Sequence, residues 1–223
     1  MGRSEDTWRI FKIMGEFVEG FEKLAKIGPA ITVFGSARSK EGDPLYQAAM
    51  EMGREIAREG FNVITGGGPG VMEAASRGGK EISGSVGKVI GLNIKLPKEQ
   101  GNPYLDTRID FNYFFCRKVM FKKYSNGIII CPGGFGTMDE MFEVLTLIQT
   151  RKTRWTPVVL YDSKYWNDLI AFFNTHMVAR GFINKADLNL IKLTDDPKEA
   201  VKIITDVYKS SKEARTSLLD LEE

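Results

Sequence analysis

The run Pro132-Gly133-Gly134-Phe135-Gly136-Thr137-Met138-Asp139-Glu140 follows directly on the apolar stretch Gly127-Ile128-Ile129-Ile130-Cys131. This spacing predicts a strand, a glycine turn and a helix. Glycines at 133, 134 and 136 remove the β-carbons that would hold a ligand off the backbone. A helix starting near Thr137 would aim its unpaired N–H groups and positive dipole end at the turn. Such a place suits an anion, most simply a phosphate. Glu140 lies about one helical turn in, within reach of a sugar attached to that phosphate. The pattern describes a nucleotide site with a carboxylate acid or base beside it. The same residues also spell a capping box, Thr137-x-x-Glu140, in which the Glu would only satisfy a backbone N–H. Both readings stand on the sequence.

A second glycine turn, Gly66-Gly67-Gly68-Pro69-Gly70, follows the strand candidate Phe61-Asn62-Val63-Ile64-Thr65 and precedes a helical pattern from Val71 to Lys80. A third strand-to-loop junction is Ile31-Thr32-Val33-Phe34-Gly35-Ser36-Ala37-Arg38. Loops that follow parallel strands gather at the carboxyl edge of the sheet, where open α/β folds bind ligands. Gly35, Ser36, Gly67, Gly68 and Gly70 therefore join the candidate substrate site. Glu73, in the first turn of the helix after Gly70, either faces the sugar or simply favours the helix dipole.

Familiar nucleotide motifs do not fit. A G-x-G-x-x-G pattern read from Gly66 meets Val71 where glycine is needed, and read from Gly134 it meets Asp139; neither turn carries the Gly-Lys-Ser/Thr of a P-loop. The single histidine, His176, falls on a late helical pattern far from both turns, so a histidine-based triad has no support. No cluster of His, Cys, Asp and Glu has metal-ligand spacing, and neither a metal nor an organic cofactor is expected.

The elements that must position these turns alternate along the chain. Strand candidates at 30–35, 61–65, 87–94, 127–131 and 157–161, with a short sixth near Leu190 to Leu193, are separated by helical patterns. Those patterns fall at 44–59, 70–82, 114–124, 137–150, 164–178 and 197–209. Such alternation predicts a doubly wound, mostly parallel α/β sheet. Trp8, Phe11, Met14, Val18, Phe21 and Leu24 recur every three or four residues, so residues 6–26 read as an amphipathic helix capped by Asp6 that packs on the domain or on another subunit. The domain reading is an N-terminal helical segment, 1–28, a nucleotide-binding domain, 29–209, and a charged tail, 210–223.

The 223 residues suffice for one substantial domain, and a hydrophobic content of 43% fits a full core. Lys and Arg total 31 against 29 Asp and Glu, which gives no electrostatic footprint for nucleic acid. No apolar run approaches the ~20 residues that span a bilayer, so no membrane partner is expected. Two cysteines without ligand spacing, Cys116 and Cys131, suit a reducing cytoplasm.

The segments Val33 to Arg38, Gly66 to Ala75, Phe115-Cys116-Arg117-Lys118 and Pro132 to Glu140 together resemble the LOG ("lonely guy") family of cytokinin riboside 5′-monophosphate phosphoribohydrolases and related nucleotide nucleosidases. The likeness runs from about residue 29 to residue 208. It implies a Rossmann-like fold and hydrolysis of the N-glycosidic bond of a nucleoside 5′-monophosphate to free base and ribose 5-phosphate. It also implies a homodimer or dimer of dimers, with part of the helix after Glu140, through Met141, Leu145 and Ile148, at the interface. The family's catalytic pair maps onto Arg117 and Glu140. Its nucleotide contacts map onto Lys118, onto Gly133, Gly134, Phe135, Gly136 and Thr137, onto Thr146 one helix face further on, and onto Glu99 in the loop between Pro97 and Pro103. Lys118-Val119-Met120 after Arg117, and Glu73 where plant members tend to have glycine, depart from the plant pattern and place the chain with the longer bacterial relatives; the substrate expected is AMP or an N6-modified AMP rather than a cytokinin nucleotide specifically. The name "lysine decarboxylase-like" also attaches to such chains, but no Schiff-base lysine with a pyridoxal pocket is visible.

The residues themselves carry the chemistry. Breaking a glycosidic C–N bond builds positive charge on the sugar, which a carboxylate such as Glu140 can stabilise while it orients or deprotonates water. Arg117, planar and permanently charged, can hold an electron-rich base or phosphate. Lys118 either contacts phosphate or lies solvated on its helix. Several amides at ~1.5–3 kcal/mol each outweigh the ~0.3–1 kcal/mol of a helix dipole, so phosphate affinity is expected to come chiefly from the turn. A binding protein on the same scaffold, without hydrolysis, is the alternative.

Overall fold

The computed structural model describes residues 3–82, 87–96 and 101–219. Helix α1 (Arg3–Leu24) leads into β1 (Ala30–Phe34), α2 (Pro44–Arg58), β2 (Asn62–Thr65), α3 (Val71–Glu81), β3 (Val89–Ile94) and β4 (Thr107–Phe111). The second half runs α4 (Phe114–Tyr124), β5 (Gly127–Ile130), α5 (Phe135–Gln149), β6 (Val158–Tyr161), α6 (Ser163–Phe172), β7 (Ile191–Thr194) and α7 (Pro197–Leu219). A π-helical turn, Phe173–Val178, extends α6, and a 3₁₀ segment, Lys185–Leu190, precedes β7. Seven strands form one sheet in the order β4-β3-β2-β1-β5-β6-β7, every pairing parallel. This is the doubly wound α/β class that the alternation predicts.

Strands buried on both faces read as unbroken apolar runs. In β5, Ile128 and Ile130 pack under α1, α4, α5 and α6, while Ile129 and the following Cys131 pack under α2, α3 and α7. The chain winds outward from β1 to β4, crosses back through α4 to β5 beside β1, then winds out the other way. The carboxyl ends of β1 and β5 therefore flank the topological switch point, the crevice where such sheets take ligands.

Four expectations need correction. Strand β4 was not foreseen, and α7 continues to Leu219 instead of ending near 209. Helix α1 begins at Arg3, which puts Asp6 inside it and not at its cap. Its inner face is Glu16, Gly20 and Leu24 with the part-buried Ile13 and Phe17, whereas Trp8, Ile10, Phe11, Met14, Val18 and Phe21 point outward. Glu16 fastens the helix to the domain by accepting from the backbone N–H groups of Asn112 and Tyr113 and from the Asn112 side chain. Met141 and Ile148 of α5 are buried in the protomer core and offer no free interface, while Leu145 packs against it part-buried. No described helix is long and apolar enough to cross a membrane.

Candidate active site

The loops after β1, β2 and β5 are tied to one another through backbone. Ser36 N–H donates to the Pro132 carbonyl at 2.9 Å, and Val71 N–H donates to the Ser36 carbonyl at 3.0 Å. Gly70, at φ +69°, lies so close that a β-carbon there would stand 2.3 Å from the Ser36 oxygen. A β-carbon at Gly35 would stand 2.7 Å from the Val71 side chain. Gly67, at φ +70°, passes over Asn93, and a β-carbon there would come within 1.9 Å of Asn93 Oδ1. Asn102 holds the same turn from outside, its backbone N–H on the Gly67 carbonyl at 2.8 Å and its amide on the Gly68 carbonyl at 3.1 Å. Asn93 and Asn102 were not singled out in the sequence, because both act through contacts distant along the chain.

Helix α5 begins two residues earlier than its spacing suggests. Gly134 is the cap residue, at φ −87° and without a side-chain cap bond, and its carbonyl accepts from the N–H groups of Thr137 and Met138. Thr137 is thus the third helical residue and Glu140 sits in the second turn, so the capping box is not formed. The N–H groups of Gly133, Gly134, Phe135 and Gly136 find no acceptor among the described residues. A β-carbon at Gly134 or Gly136 would meet nothing within 4 Å, and neither glycine has a positive φ. Neither the packing of the described residues nor the backbone requires glycine there. Phe135 beside them is 95% exposed. The helix N-terminus therefore opens on room that no described residue fills.

Glu140 is buried, at 5% exposure, and faces Arg117 of α4, whose Nη2 lies 3.8 Å from its Oε1. Burial pushes the Glu140 carboxyl up to about 7, against the pull of Arg117 and Lys118 toward ionisation. The Arg117 guanidinium stacks over the rings of Phe114 and Phe121, at 5.1 and 5.7 Å, and its Nη1 lies 3.9 Å from where a β-carbon on Gly66 would be. One arginine thus joins α4, α5 and the turn after β2. Lys118 bridges α4 to α5 by ion pairs with Asp139 at 2.8 Å and Glu143 at 2.5 Å. Burial works against its charge, but those two carboxylates hold its pKa above the usual lysine range.

The structure does not bring every expected residue to this cluster. Glu73 lies in the opposite helical layer, where its Oε1 accepts from the Tyr46 hydroxyl at 3.1 Å. Thr146 is about 240° around α5 from Glu140. Its hydroxyl donates to the Phe142 carbonyl, and it lines an apolar pocket with Leu145, Phe173 and Met177 on the flank away from Lys118. Glu99 lies outside the described residues. His176, on the π-helical turn, is exposed beside Phe172.

Residues 63–204 match the family model described as "Possible lysine decarboxylase", the model that covers the LOG proteins. The chain belongs to this LOG family. A cytokinin riboside 5′-monophosphate phosphoribohydrolase of Rhodococcoides fascians is 28% identical over 176 residues, 78% of this chain and 88% of the relative. The phosphoribohydrolase LOG3 of Arabidopsis thaliana is 30% identical over 179 residues, 77% of this chain and 80% of the relative. Among solved structures, the molybdenum cofactor binding protein of Rippkaea orientalis aligns at a TM-score of 0.61 with 25% identity, covering 82% of this chain and 99% of the other. Among the described residues the buried lysine with a lowered pKa is Lys122, at about 8 through burial and the nearby Arg154, and it donates to Thr156 at the amino edge of the sheet, the opposite end from the turns.

Proposed function

We propose that this protein hydrolyses the N-glycosidic bond of a nucleoside 5′-monophosphate, AMP or an N6-modified AMP, to free base and ribose 5-phosphate. The observation that carries the reading is Glu140, a buried carboxylate poised near neutrality beside Arg117, one turn behind a helix N-terminus whose glycines leave room for an anion. Gly133, Gly134, Phe135 and Gly136 bind the phosphate through their amides, with Thr137 as a hydroxyl donor. Ionised Glu140 stabilises positive charge on the sugar and takes a proton from water as its oxygen bonds to C1′. The C–N bonding pair leaves with the base, which is protonated from solvent. Arg117 orients the leaving base or the phosphate, and it stays charged throughout. Lys118 holds Asp139 and Glu143 aside, so that the pair faces substrate and not its neighbours. Relatives named as phosphoribohydrolases support this reading.

The neighbour named for binding a molybdenum cofactor favours a second reading, capture of a ligand without hydrolysis. The test is to incubate the purified protein with a panel of nucleoside monophosphates and their nucleosides and to detect free base. Turnover of AMP well above adenosine supports the hydrolase. Tight binding of a monophosphate with no base released supports the carrier reading, and equal turnover of adenosine and AMP removes the phosphate site.

We further propose a homo-oligomer of a cytoplasmic protein, its two buried cysteines unpaired. The interface is the outer face of α1, where Phe11, Met14, Val18 and Phe21 repeat at three, four and three residues, the spacing of a helix-pairing seam. Phe115 and Val119 of α4 are also exposed beside it. Contiguous exposed apolar faces of this kind mark interaction sites more often than bare surface. A monomeric mass by light scattering at micromolar concentration would refute it.

A further inference from the structure

An amide turn attracts an anion only if its carbonyl oxygens are turned elsewhere, because each peptide carries a negative end as well as a positive one. At the turn after β5 the carbonyls are accounted for one by one. That of Pro132 accepts from Ser36 N–H, and that of Gly134 accepts from Thr137 and Met138 N–H. That of Gly133 accepts from the Tyr165 hydroxyl at 2.6 Å. Two of the three are held by backbone, which any sequence on this fold would supply. The third depends on one side chain.

The N-terminus of α6 is built to hold that side chain in place. Asp162 sits in the left-handed region at φ +83°, a conformation that costs a non-glycine residue ~1–2 kcal/mol. From there its Oδ1 accepts from Tyr165 N–H at 3.2 Å, while its own N–H donates to the Thr194 carbonyl at 3.1 Å. The Ser163 N–H and hydroxyl both donate to Asp195, at 2.6 and 2.7 Å. Trp166 is fully buried, its indole N–H on the Tyr161 carbonyl and its ring edge-on to Tyr165. Backbone strain held by surrounding bonds is a feature of positions where geometry matters for function. Tyr165, Gly133, Pro132 and Ser36 line a cleft of about 590 Å³ with Asp43 and Asp162, on the side of the turn to which the Gly133 carbonyl is drawn.

We propose that Tyr165 is a positioning residue for the phosphate site: its hydroxyl holds the Gly133 carbonyl away from the anion and so keeps the amides of the turn facing it. The proposal rests on the phosphate reading of that turn. Without the hydroxyl, the peptide between Gly133 and Gly134 is free to rotate and can present its oxygen to the ligand, and glycine on both sides makes the rotation easy. The side chain touches no reacting atom in this scheme, so its loss acts on affinity for phosphate and not on the chemical step.

The test compares the full-length protein with Tyr165→Phe, which keeps the ring and its contact with Trp166. Calorimetric titration with AMP and with adenosine separates the phosphate contribution. The expected result is AMP binding at least tenfold weaker in the variant, adenosine binding changed less than twofold, KM for AMP raised in proportion and kcat nearly unchanged. Backbone amide resonances of Gly133 and Gly134 should move on adding AMP to the parent and move less in the variant. Gly181, distant from the switch point, serves as the unmoved control in both. Equal AMP affinity in the two proteins overturns the proposal while leaving the phosphate site standing. Loss of kcat with KM unchanged overturns the positioning role. A parent protein that binds no monophosphate overturns the reading of the turn as an anion site, and this proposal with it.

Discussion

The two glycine turns look alike in sequence, and the fold uses their glycines for opposite reasons. In the turn after β2 the glycines are crowded. Gly67 and Gly70 have positive φ, and a β-carbon on either would strike Asn93 or the Ser36 backbone. In the turn after β5, Gly134 and Gly136 have no such conformation, and among the described residues a β-carbon on either has no neighbour within 4 Å. The first turn is glycine because the protein is there; the second is glycine although no described residue is. Gly133 lies between the cases, since a β-carbon there would strike Thr137 and approach Ser36 N. A glycine that crowding explains says nothing about a ligand. One that no described residue explains is where a ligand is worth testing.

The carboxylate behind each turn gives the largest expected contrast. Glu140→Gln should lower turnover of the best monophosphate by ~10²–10⁴, the usual contribution of a positioned acid or base, with substrate binding retained. Glu73→Gln, behind the crowded turn and held by Tyr46, should leave turnover within about threefold. Steady-state rates on the same substrate decide it. If Glu73→Gln is the variant that loses activity, the assignment of the two turns is reversed.

Next in size is the effect on folding. Gly70→Ala combines a left-handed backbone with a clash against backbone that cannot step aside, and should cost about 3–5 kcal/mol in urea denaturation. Gly136→Ala, in the first turn of a helix at ordinary dihedrals, should be neutral or stabilising by up to ~1 kcal/mol. Its penalty should appear in ligand affinity, with AMP binding weaker by about 10- to 100-fold, or ~1.4–2.7 kcal/mol. A Gly136→Ala protein that binds AMP as the parent does would show that the open space is not occupied by the phosphate.

The fold class and both turns were legible because they rest on local pattern, apolar runs broken by glycine and followed by a helical period. Strand β4 escaped because Thr107-Arg108-Ile109-Asp110-Phe111 is an edge strand, half-polar and ion-paired along its exposed face, Arg108 to Asp110. The outward stripe of α1 was visible as an apolar face, but periodicity does not say which of two apolar faces finds the core. In the site, Arg117 and Glu140 carry sequence motifs, whereas Tyr165, Asn93 and Asn102 are joined to the turns by contacts across 26 to 35 residues of chain, for which a sequence has no local mark.

The smallest effect separates the turns by proton linkage. The carboxyl of Glu140 is raised from the ordinary 4.5 to about 7, chiefly by burial. Between those values the folded protein binds more protons than the unfolded chain, so stability falls as pH rises through the window and levels off above about 7. Below about 4.5 the group is neutral in both states and contributes no penalty. Gln at 140 removes the titration. The stability difference between Glu140→Gln and parent should therefore be near zero at pH 4.5 and grow to about 1–3 kcal/mol in favour of the variant by pH 8. If Glu140 works as a base it must be ionised, so activity of the parent should rise with pH over the same range, with a midpoint near 7. Denaturation curves at several pH values, paired with a rate profile, test both at once. Parallel stability curves for parent and variant would mean that the carboxylate is solvated in the folded protein, and the buried acid or base behind the open turn would be lost as an explanation of the chemistry.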